Sequence, residues 1–406
     1  MNVYVLATEI VNTLFEAGYT AYFSGGWVRD KLLGKESDEI DIATSAPPSI
    51  IQDLFDKTVP LGVSFGVVVV VLKGINFEVT TFRKDAAYQD GRHPTHVDFS
   101  TPEKDALRRD FTINGMFFDP LTETIYDYVG GQEDLKNQLI RAIGEPAMRF
   151  NEDRLRLIRA VRFAAKLGFS IEEKTKEAIC AQAASLFPSV SIERVWQEFN
   201  KMAAAHRLDQ SILMLHRFKL LEVIFPSLKE TSLDKIEKWV SPFPYFPVNI
   251  PTIAYLMELF PHFSLEEKIQ ICRYLKTTSG DIKLVTYLTQ AAALFRNKVI
   301  EQFQWAHFYA NPYSEYFINI EAAKIMPPER SRFLQDHAER IKSLDPHIHR
   351  IQTRRPLVNA ELLKKEGIKP GKKMGALLKE AERLVINNNL ASAEEALNLL
   401  KQSSLL

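Results

Sequence analysis

Residues 22–44 read YFSGGWVRDKLLGKESDEIDIAT. The apolar residues 21–23 predict a short strand, and the two glycines that follow lead into a predicted helix over residues 27–33. A glycine pair at such a turn lets backbone N–H groups approach an anion, and the first turn of a helix adds partial positive charge. We therefore expect Gly25 and Gly26 to bind a phosphate.

An acidic pair, Glu39 and Asp41, closes this stretch. If residues 39–42 form a strand, both carboxylates project from one face, because residues i and i+2 point the same way. Two such anions repel each other unless a cation binds between them, and Mg²⁺ prefers carboxylates together with substrate phosphates. Alone, a glycine pair is a weak signal, and two acids on a strand are usually a solvated face. Their order and spacing favour phosphoryl or nucleotidyl transfer, with both acids as catalytic metal ligands and Mg²⁺ as the cofactor.

The composition is that of a folded chain with several domains, because 406 residues are too many for one core and 46% are hydrophobic. The formal net charge is zero, so any nucleic acid must bind to a local basic surface. Cys180 and Cys272 lack metal-ligand spacing, and we expect no disulfide between them, which favours the reducing cytoplasm. We expect no signal peptide, and the longest apolar run, residues 67–72, is too short to cross a membrane.

The order of the predicted elements indicates an α+β fold. Residues 66–82 predict a hairpin with its turn at Gly74-Ile75, and the polar residues 83–94 predict a loop. Strand signals then fade, and helical periodicity continues to the end, beginning with a helix predicted over residues 151–167. We expect a mixed sheet with helices at the N-terminus, followed by an all-helical remainder.

A second polar cluster, RRDFTIN, covers residues 108–114. Arginine carries a planar fork of donors that suits phosphate or ribose oxygens, which makes Arg109 a candidate ligand-binding residue. Asp110 could orient one of the arginines or accept a hydrogen bond from a ribose hydroxyl. A surface ion pair near the end of a helix is an equally good explanation of this cluster alone.

A third cluster, EDRLRLIRAVRF over residues 152–163, places four arginines and two acids on a predicted helix. Arg156, Arg159 and Arg162 recur every three residues, so each is turned by about 60° from the last. Asp153 and Arg156, three positions apart, would reach one ligand together. A salt-bridged exposed helix would have the same charges. The apolar residues between them favour burial, and buried arginines need anionic partners.

Four motifs resemble those of the bacterial class II tRNA nucleotidyltransferase and poly(A) polymerase family, within the polymerase-β-like nucleotidyltransferase superfamily. They are GGWVRD at 25–30, EIDIAT at 39–44, RRDFTIN at 108–114 and EDRLR at 152–156. The helical remainder resembles the family mainly through KPGKKMG at 369–375. The resemblance implies four parts, which are a catalytic head (1–140), a base-recognising neck (141–205), a body (206–350) and a tRNA-binding tail (351–406).

The resemblance also implies roles for single residues. Mg²⁺ would bind Glu39 and Asp41, although the family usually has aspartate where Glu39 stands, and Glu78 is a candidate third carboxylate. Asp153 would accept a hydrogen bond from the amine of cytosine or adenine while Arg156 donates to the ring nitrogen. The whole implied nucleotide-binding set is Gly25, Gly26, Arg29, Arg109, Asp110, Asp153, Arg156, Arg159 and Arg162.

The implied reaction is the addition of CCA to the tRNA 3′ end from CTP and ATP, with release of pyrophosphate. The loop residues Asp85, Tyr88, Asp90 and Arg92 resemble the lever that the family needs to add the final adenosine. Residues 61–66, LGVSFG, stand where poly(A) polymerases tend to have a Gly-Arg-Arg-Phe-like stretch. The alternatives, in order, are addition of the terminal A alone, poly(A) tailing, and RNA binding without catalysis.

The predicted RNA contacts lie in the tail. From residue 351 onward there are ten Lys or Arg and six Glu, and such a local positive excess binds phosphates in a salt-dependent way. A solvated lysine face would look the same, and the oligomeric state is left open. The candidate contacts are Lys364, Lys365, Lys369, Lys372 and Lys373.

Overall fold

The computed structural model describes residues 2–62, 66–85 and 97–402. The chain folds into two compact units, Met1–Lys238 and Trp239–Leu406. All strands of the described residues lie in the first unit, and the second is built from helices. The predicted α+β class is therefore confirmed. The finer division into head, neck, body and tail stays a prediction.

The strands form one large sheet and two small ones. They are β1 (Ala21–Ser24), β2 (Asp41–Thr44), β3 (Thr58–Gly62), β4 (Val67–Leu72), β5 (Ile75–Thr81), β6 (Arg83–Asp85), β7 (Val97–Phe99), β8 (Met116–Asp119), β9 (Thr124–Asp127), β10 (Leu139–Ile140) and β11 (Ser170–Ile171). The large sheet has the order β3-β4-β5-β2-β1-β8-β9, in which β1 and β2 are antiparallel. Because Ser24 pairs with Asp41, the glycine turn lies beside the first residue of β2.

Helices surround the sheet and build the rest of the chain. They are α1 (Val3–Glu16), α2 (Gly26–Leu32), α3 (Pro48–Leu54), α4 (Pro102–Arg108), α5 (Gly131–Lys136), α6 (Pro146–Glu152), α7 (Leu155–Leu167), α8 (Glu173–Gln182), α9 (Ile192–Ala204), α10 (Leu208–Arg217), α11 (Leu220–Ile224), α12 (Leu233–Val240), α13 (Thr252–Met257), α14 (Leu265–Tyr274), α15 (Ser279–Leu294), α16 (Gln302–Ala310), α17 (Ser314–Ala323), α18 (Glu329–Thr353), α19 (Ala360–Lys365), α20 (Lys372–Asn387) and α21 (Ala393–Gln402).

Helix α1 supplies part of the apolar core that holds the two central strands. Its residues Leu6, Ile10 and Leu14 repeat at helical spacing and are buried in one cluster with Phe23 of β1 and Ile42 of β2. Along the two strands, Phe23 and Ile42 alternate with Ser24 and Asp41, which pair beside the glycine turn. Packing on one side of β1 and β2 therefore fixes the position of the chemistry at their ends.

The hairpin of β4 and β5 turns one residue earlier than the sequence predicts. Leu72 pairs with Ile75, so the two-residue turn consists of Lys73 and Gly74, with φ of 50° and 84°. Positive φ at both turn positions matches the twist of the strands, and it suits glycine far better than a β-branched residue such as Ile75.

Two further predicted boundaries are wrong. Residues 83–85 were expected in a loop but form β6, because Asp85 pairs with Val97 of β7. The helix predicted over residues 151–167 is interrupted at Asp153, whose φ of −145° and ψ of 104° are extended values. This residue separates α6 from α7, and it therefore lies outside the helix that carries the three arginines.

Two apolar clusters lie among the described residues of the second unit. One includes Phe308 of α16, Phe317 of α17 and Ile348 of α18. The other joins Leu363 of α19 to Leu377 of α20 within the last three helices. Among the residues that the structure describes, no helix is both long and apolar enough to span a membrane.

Candidate active site

The glycine turn lies directly against Arg109. Gly25 has φ of 69°, and a Cβ added there would lie 3.2 Å from the Nη1 atom of Arg109. Glycine alone combines this backbone conformation with such a close approach. Helix α2 sums only seven peptide dipoles, so we attribute the positive charge at the turn chiefly to Arg109 and Arg29.

The acidic pair is arranged differently from the prediction. Strand β2 begins at Asp41, so Glu39 precedes the strand, and Ile40 between them is buried. Strands β2 and β5 are parallel, and Ile42 pairs with Val79. One residue earlier on each strand, Asp41 therefore lies beside Glu78. Two of the acids therefore approach each other across neighbouring strands rather than along a single one.

The charges around Asp41 act on its protonation. Desolvation, and then the negative charges of Glu78 and Glu39, raise the pKa of Asp41 to about 6, although the residue as a whole is exposed, and Arg109 opposes this rise. Within the described ranges, no three His, Cys or acidic side chains converge closely enough to hold a metal by themselves. Glu78 therefore does not complete a closed three-acid site, and the arrangement is an open one.

Asn114 connects the predicted nucleotide-binding residues of the first 140 positions. Its Oδ1 atom accepts a hydrogen bond of 2.7 Å from buried Arg29, and its Nδ2 atom donates one of 3.2 Å to Asp110. Its backbone carbonyl accepts from Arg109 at 3.4 Å. Arg29 also binds both carboxylate oxygens of Asp30, at 2.8 and 2.9 Å. Because these bonds converge on one residue, the arginines are held rigidly.

Asp110 joins this network to α7. Its Oδ2 atom accepts a hydrogen bond of 2.9 Å from Nε of Arg159. Burial by itself would raise the pKa of Asp110, but the charge and hydrogen bonds of Arg159, with the hydrogen bond of Asn114, hold it at about 2. Asp110 therefore orients an arginine, which is one of the two roles that the sequence left open.

Arg162 and Arg159 share the aromatic ring of Phe163. The guanidinium carbon of Arg162 lies 4.0 Å from the ring centroid, that of Arg159 5.3 Å and that of Arg29 5.4 Å. Arg162 also donates a 2.6 Å hydrogen bond to Glu198 of α9. Each arginine of the stripe thus has an anionic or aromatic partner, as the apolar surroundings required.

The two residues predicted to recognise the base have separate partners. Asp153 accepts hydrogen bonds from both terminal nitrogens of Arg194, at 3.2 and 2.9 Å. Arg156 donates to Glu152 at 2.7 Å and to the carbonyls of Arg149 and Arg108 at 2.8 and 3.1 Å. The helical i, i+3 relationship assumed from the sequence is wrong, because Asp153 precedes the helix.

Residues of this site that were not predicted to take part include Asn114, Phe163, Arg194 and Glu198. Glu198 did leave a signal in the sequence. It lies between Val195 and Met202 on the buried face of α9, where an acid needs a cation. Asn114 and Phe163 fall inside recognised motifs, but their uncharged side chains carry no sequence signal for a role in the site.

Family models match most of the chain. They are "Poly A polymerase head domain" over residues 21–141, "Probable RNA and SrmB- binding site of polymerase A" over 168–231 and "tRNA nucleotidyltransferase domain 2" over 253–400. A CCA-adding enzyme of Pediococcus pentosaceus is 35% identical over 96% of this chain and 96% of its own length. One of Lactobacillus helveticus is 32% identical over 98% of this chain and 96% of its own. This chain belongs to the family of CCA-adding enzymes.

Solved structures agree with this family assignment. The CCA-adding enzyme of Bacillus stearothermophilus in complex with CTP has a TM-score of 0.81 and 28% identity, over 99% of this chain and 98% of its own. The Thermotoga maritima CCA-adding enzyme complexed with tRNA-CCA has a TM-score of 0.69 over 98% and 94%, and at 22% identity it supports the fold alone.

The family of CCA-adding enzymes, like the wider polymerase-β-like superfamily, generally uses a divalent metal. The donors of this chain fit such an ion, because mutually repelling carboxylates beside a glycine turn supply hard oxygen ligands. Having no third protein ligand among the described residues, the site would leave coordination positions to water and phosphate oxygens. This openness is what a metal that must also bind a substrate requires.

The other predicted residues of this family member fall into two groups. Tyr88, Asp90 and Arg92 lie outside the described residues, and Asp85 is described only as backbone of β6. The five predicted RNA-binding lysines are exposed on or beside α19 and α20, with no acidic partner among the described residues. They are Lys364, Lys365, Lys369, Lys372 and Lys373.

Proposed function

We propose that this chain adds CCA to the 3′ end of tRNA from CTP and ATP, without a nucleic-acid template and with release of pyrophosphate. One observation carries the proposal: a continuous chain of hydrogen bonds runs from Arg29 through Asn114 and Asp110 to Arg159. It couples the glycine turn to the helix that follows Asp153. The CCA-adding enzymes aligned over nearly the whole chain support the same activity.

The acidic pair would hold the metal, Mg²⁺ in this proposal. Bound to Glu39 and Asp41, the ion would make the attacking hydroxyl more acidic and neutralise charge on the phosphates. Arg109, close to Gly25, binds the triphosphate through its fork of donors. Glutamate in place of the family's usual aspartate keeps the charge and lengthens the side chain by one methylene.

Base choice rests on Asp153 and Arg156. Cytosine and adenine each have an exocyclic amine beside a ring-nitrogen acceptor, so one carboxylate and one guanidinium suit both. Uracil and guanine have a carbonyl where the amine should be, which leaves the Asp153 carboxylate facing an acceptor. Such bidentate contacts discriminate between bases by about 1–3 kcal/mol. For this recognition, Arg156 would exchange one of its carbonyl partners for the base.

The remaining predicted residues have supporting roles. Asp110, Arg159 and Arg162 hold the nucleotide-binding side chains in place through their ion pairs, and Gly26 lies in the turn beside Arg29. Asp85, Tyr88, Asp90 and Arg92 adapt the site for the last adenosine. The exposed tail lysines contact RNA phosphates. The two free cysteines fit a cytoplasmic location.

The test uses tRNA transcripts that end before C, after C, after CC and after CCA. Each is incubated with Mg²⁺ and with CTP alone, ATP alone or both. The proposal expects two C additions from CTP and one A addition only after CC, with no extension of the complete end. Incorporation of A alone would identify an A-adding enzyme, long A tails a poly(A) polymerase, and binding without incorporation an RNA-binding homologue. Each of these results contradicts CCA addition.

A further inference from the structure

A cavity of about 240 Å³ opens among helices α13, α14, α15 and α17 of the second unit. Apolar residues such as Leu288, Phe317 and Ile320 line part of it. Charged side chains line the rest, and among them are three cations on different helices or helix ends. None of these residues belongs to the site described above, which lies in the first unit.

The charges in this cavity are unevenly paired. Lys324 contacts both acids of the cavity, Glu258 and Glu321, at 2.8 Å each. Lys268 is half-buried and Arg296 is exposed, and neither has an acidic partner within hydrogen-bond distance among the described residues. The five charged groups therefore sum to one excess positive charge, because the two unpaired cations outweigh the single negative charge left by Lys324 and its two acids.

The environment of Lys268 is unfavourable for its charge. Burial lowers the pKa of its ammonium group, Glu258 opposes this, and the positive charges of Lys324 and Arg296 lower the pKa further. A lysine held beside two other cations at the wall of a cavity is stabilised if an anion binds between them. The arrangement combines a point charge, a planar fork of donors and space for a tetrahedral group, which are the features that bind phosphate.

We propose that Lys268 and Arg296 bind a phosphate group of the RNA backbone in this cavity. The proposal rests on the proposed function, because it takes tRNA as the ligand. It adds a contact on the 206–350 segment to the predicted lysine contacts of the last 56 residues. The sequence provided no signal for this additional contact. Free inorganic phosphate has the same chemistry, and the experiment separates the two sources.

The experiment measures tRNA binding by the full chain over a range of salt concentrations. The test protein carries Lys268→Gln with Arg296→Gln. The control carries Lys283→Gln with Lys298→Gln, which removes the same charge from exposed positions in the same part of the chain but outside the cavity. Each phosphate contact contributes about 0.7–0.9 to the slope of log affinity against log salt. We expect the test protein to lose about that much slope and to bind about fivefold more weakly at 0.1 M salt, and the control to change by less than half as much.

Stability supplies a readout that separates binding from folding. Replacing Lys268 and Arg296 removes like charges from one cavity, so without RNA the test protein should unfold at the same temperature as the wild type or higher. The rise in unfolding temperature caused by tRNA should be smaller than in the wild type. Residues needed only for folding would lower the unfolding temperature of the free protein.

Three results would overturn the proposal. Equal salt slopes for the wild type and the test protein would overturn it. CCA addition is measured on the same preparations, and its presence would leave the proposed function intact. Equal losses in test and control proteins would assign the effect to general charge. The third result has two parts. Inorganic phosphate at constant ionic strength stabilises the wild type but not the test protein, and the two proteins have the same salt slope for tRNA binding. This combination would assign the cavity to free phosphate. A wild type that binds tRNA with the expected slopes but fails to extend it would contradict only the proposed activity.

Discussion

Arg194 binds both carboxylate oxygens of Asp153, with its two terminal nitrogens at 3.2 and 2.9 Å. The two residues are 41 positions apart. The Leu155 amide donates to the same carboxylate at 3.0 Å. Because Asp153 has extended backbone angles between two helices, these bonds, rather than helix geometry, determine its direction. A residue proposed to select the base is thus oriented by one with no predicted role.

Replacement of Arg194 should therefore affect base choice. In Arg194→Gln, the Asp153 carboxylate loses its charged partner and can rotate, so the preference for CTP and ATP over UTP and GTP should fall about tenfold, within the range of a bidentate base contact. The measurement is the ratio of kcat/KM values on tRNA lacking CCA. Arg217→Gln, which breaks an exposed pair with Glu237, is the control and should leave the ratio unchanged. Unaltered selectivity in Arg194→Gln would mean that Asp153 does not depend on this contact.

The contact between Gly25 and Arg109 can be tested with a matched glycine. Gly25 and Gly34 have φ of 69° and 68°, but an added Cβ meets Arg109 only at Gly25 and nothing within 4 Å at Gly34. Alanine at either position should cost about 1–2 kcal/mol of unfolding free energy, because of the positive φ. Only Gly25→Ala should raise the KM for CTP, by about tenfold. A similar KM for CTP in Gly25→Ala and Gly34→Ala would show that the position of Arg109 does not depend on the absence of a Cβ at residue 25.

The ion pair of Asp110 and Arg159 should contribute stability that depends on pH. The pKa of Asp110 is lowered from its ordinary 3.8 to about 2, so the carboxylate stabilises the folded state above pH 4, and this contribution of about 2 kcal/mol is lost as the pH falls towards 2. Asp110→Asn should be less stable at pH 7, and its difference from the wild type should shrink below pH 4. Urea unfolding followed by hydrogen exchange of α7 peptides measures this. A difference that stays constant down to pH 3 would contradict the ion-pair explanation.

His337 in the second unit should cause sensitivity to acid at a higher pH than Asp110 does. Its Nδ1 atom is 2.7 Å from the Tyr309 hydroxyl. Burial and the charge of Arg340 lower its pKa to about 4, although Asp336 opposes the shift. Since the unfolded pKa is near 6.5, stability is complete above that value and falls by about 2 kcal/mol on going to pH 5. His337→Phe should lose less stability over this interval, as measured by urea unfolding with tryptophan fluorescence. An equal loss would assign the acid sensitivity to other groups.

The position of Glu39 predicts which substitutions the metal tolerates. Glu39→Gln removes one of the two proposed ligand charges and should lower CTP incorporation more than 100-fold and weaken Mg²⁺ binding measured by calorimetry. Glu39→Asp restores the family's usual residue and should stay within tenfold of the wild type. Glu36→Gln, at an exposed position nearby, serves as the control. Normal Mg²⁺ binding by Glu39→Gln would exclude Glu39 as a ligand.

Sequence patterns were most reliable where a local rule applies. The strand, glycine pair and helix of residues 21–32 and the hairpin of β4 and β5 were predicted to within one residue, because φ preferences and side-chain alternation act over a few positions. The break at Asp153 was missed because the apolar periodicity continues on both sides of it. Helical periodicity does not reveal a single extended residue between two helices.

By itself, the amino-acid sequence determined the α+β class, the glycine turn, the candidate acids and the arginine stripe, since each follows from residue type and spacing along the chain. Only the tertiary structure decided which partner each charged group has. Arg29 meets Asn114 across 85 positions, Arg159 meets Asp110 across 49, and Lys268 shares a cavity with Arg296 and Lys324. The physical reason is that a charge can be satisfied by any opposite group that packing brings within hydrogen-bond distance, and spacing along the chain carries no record of that choice.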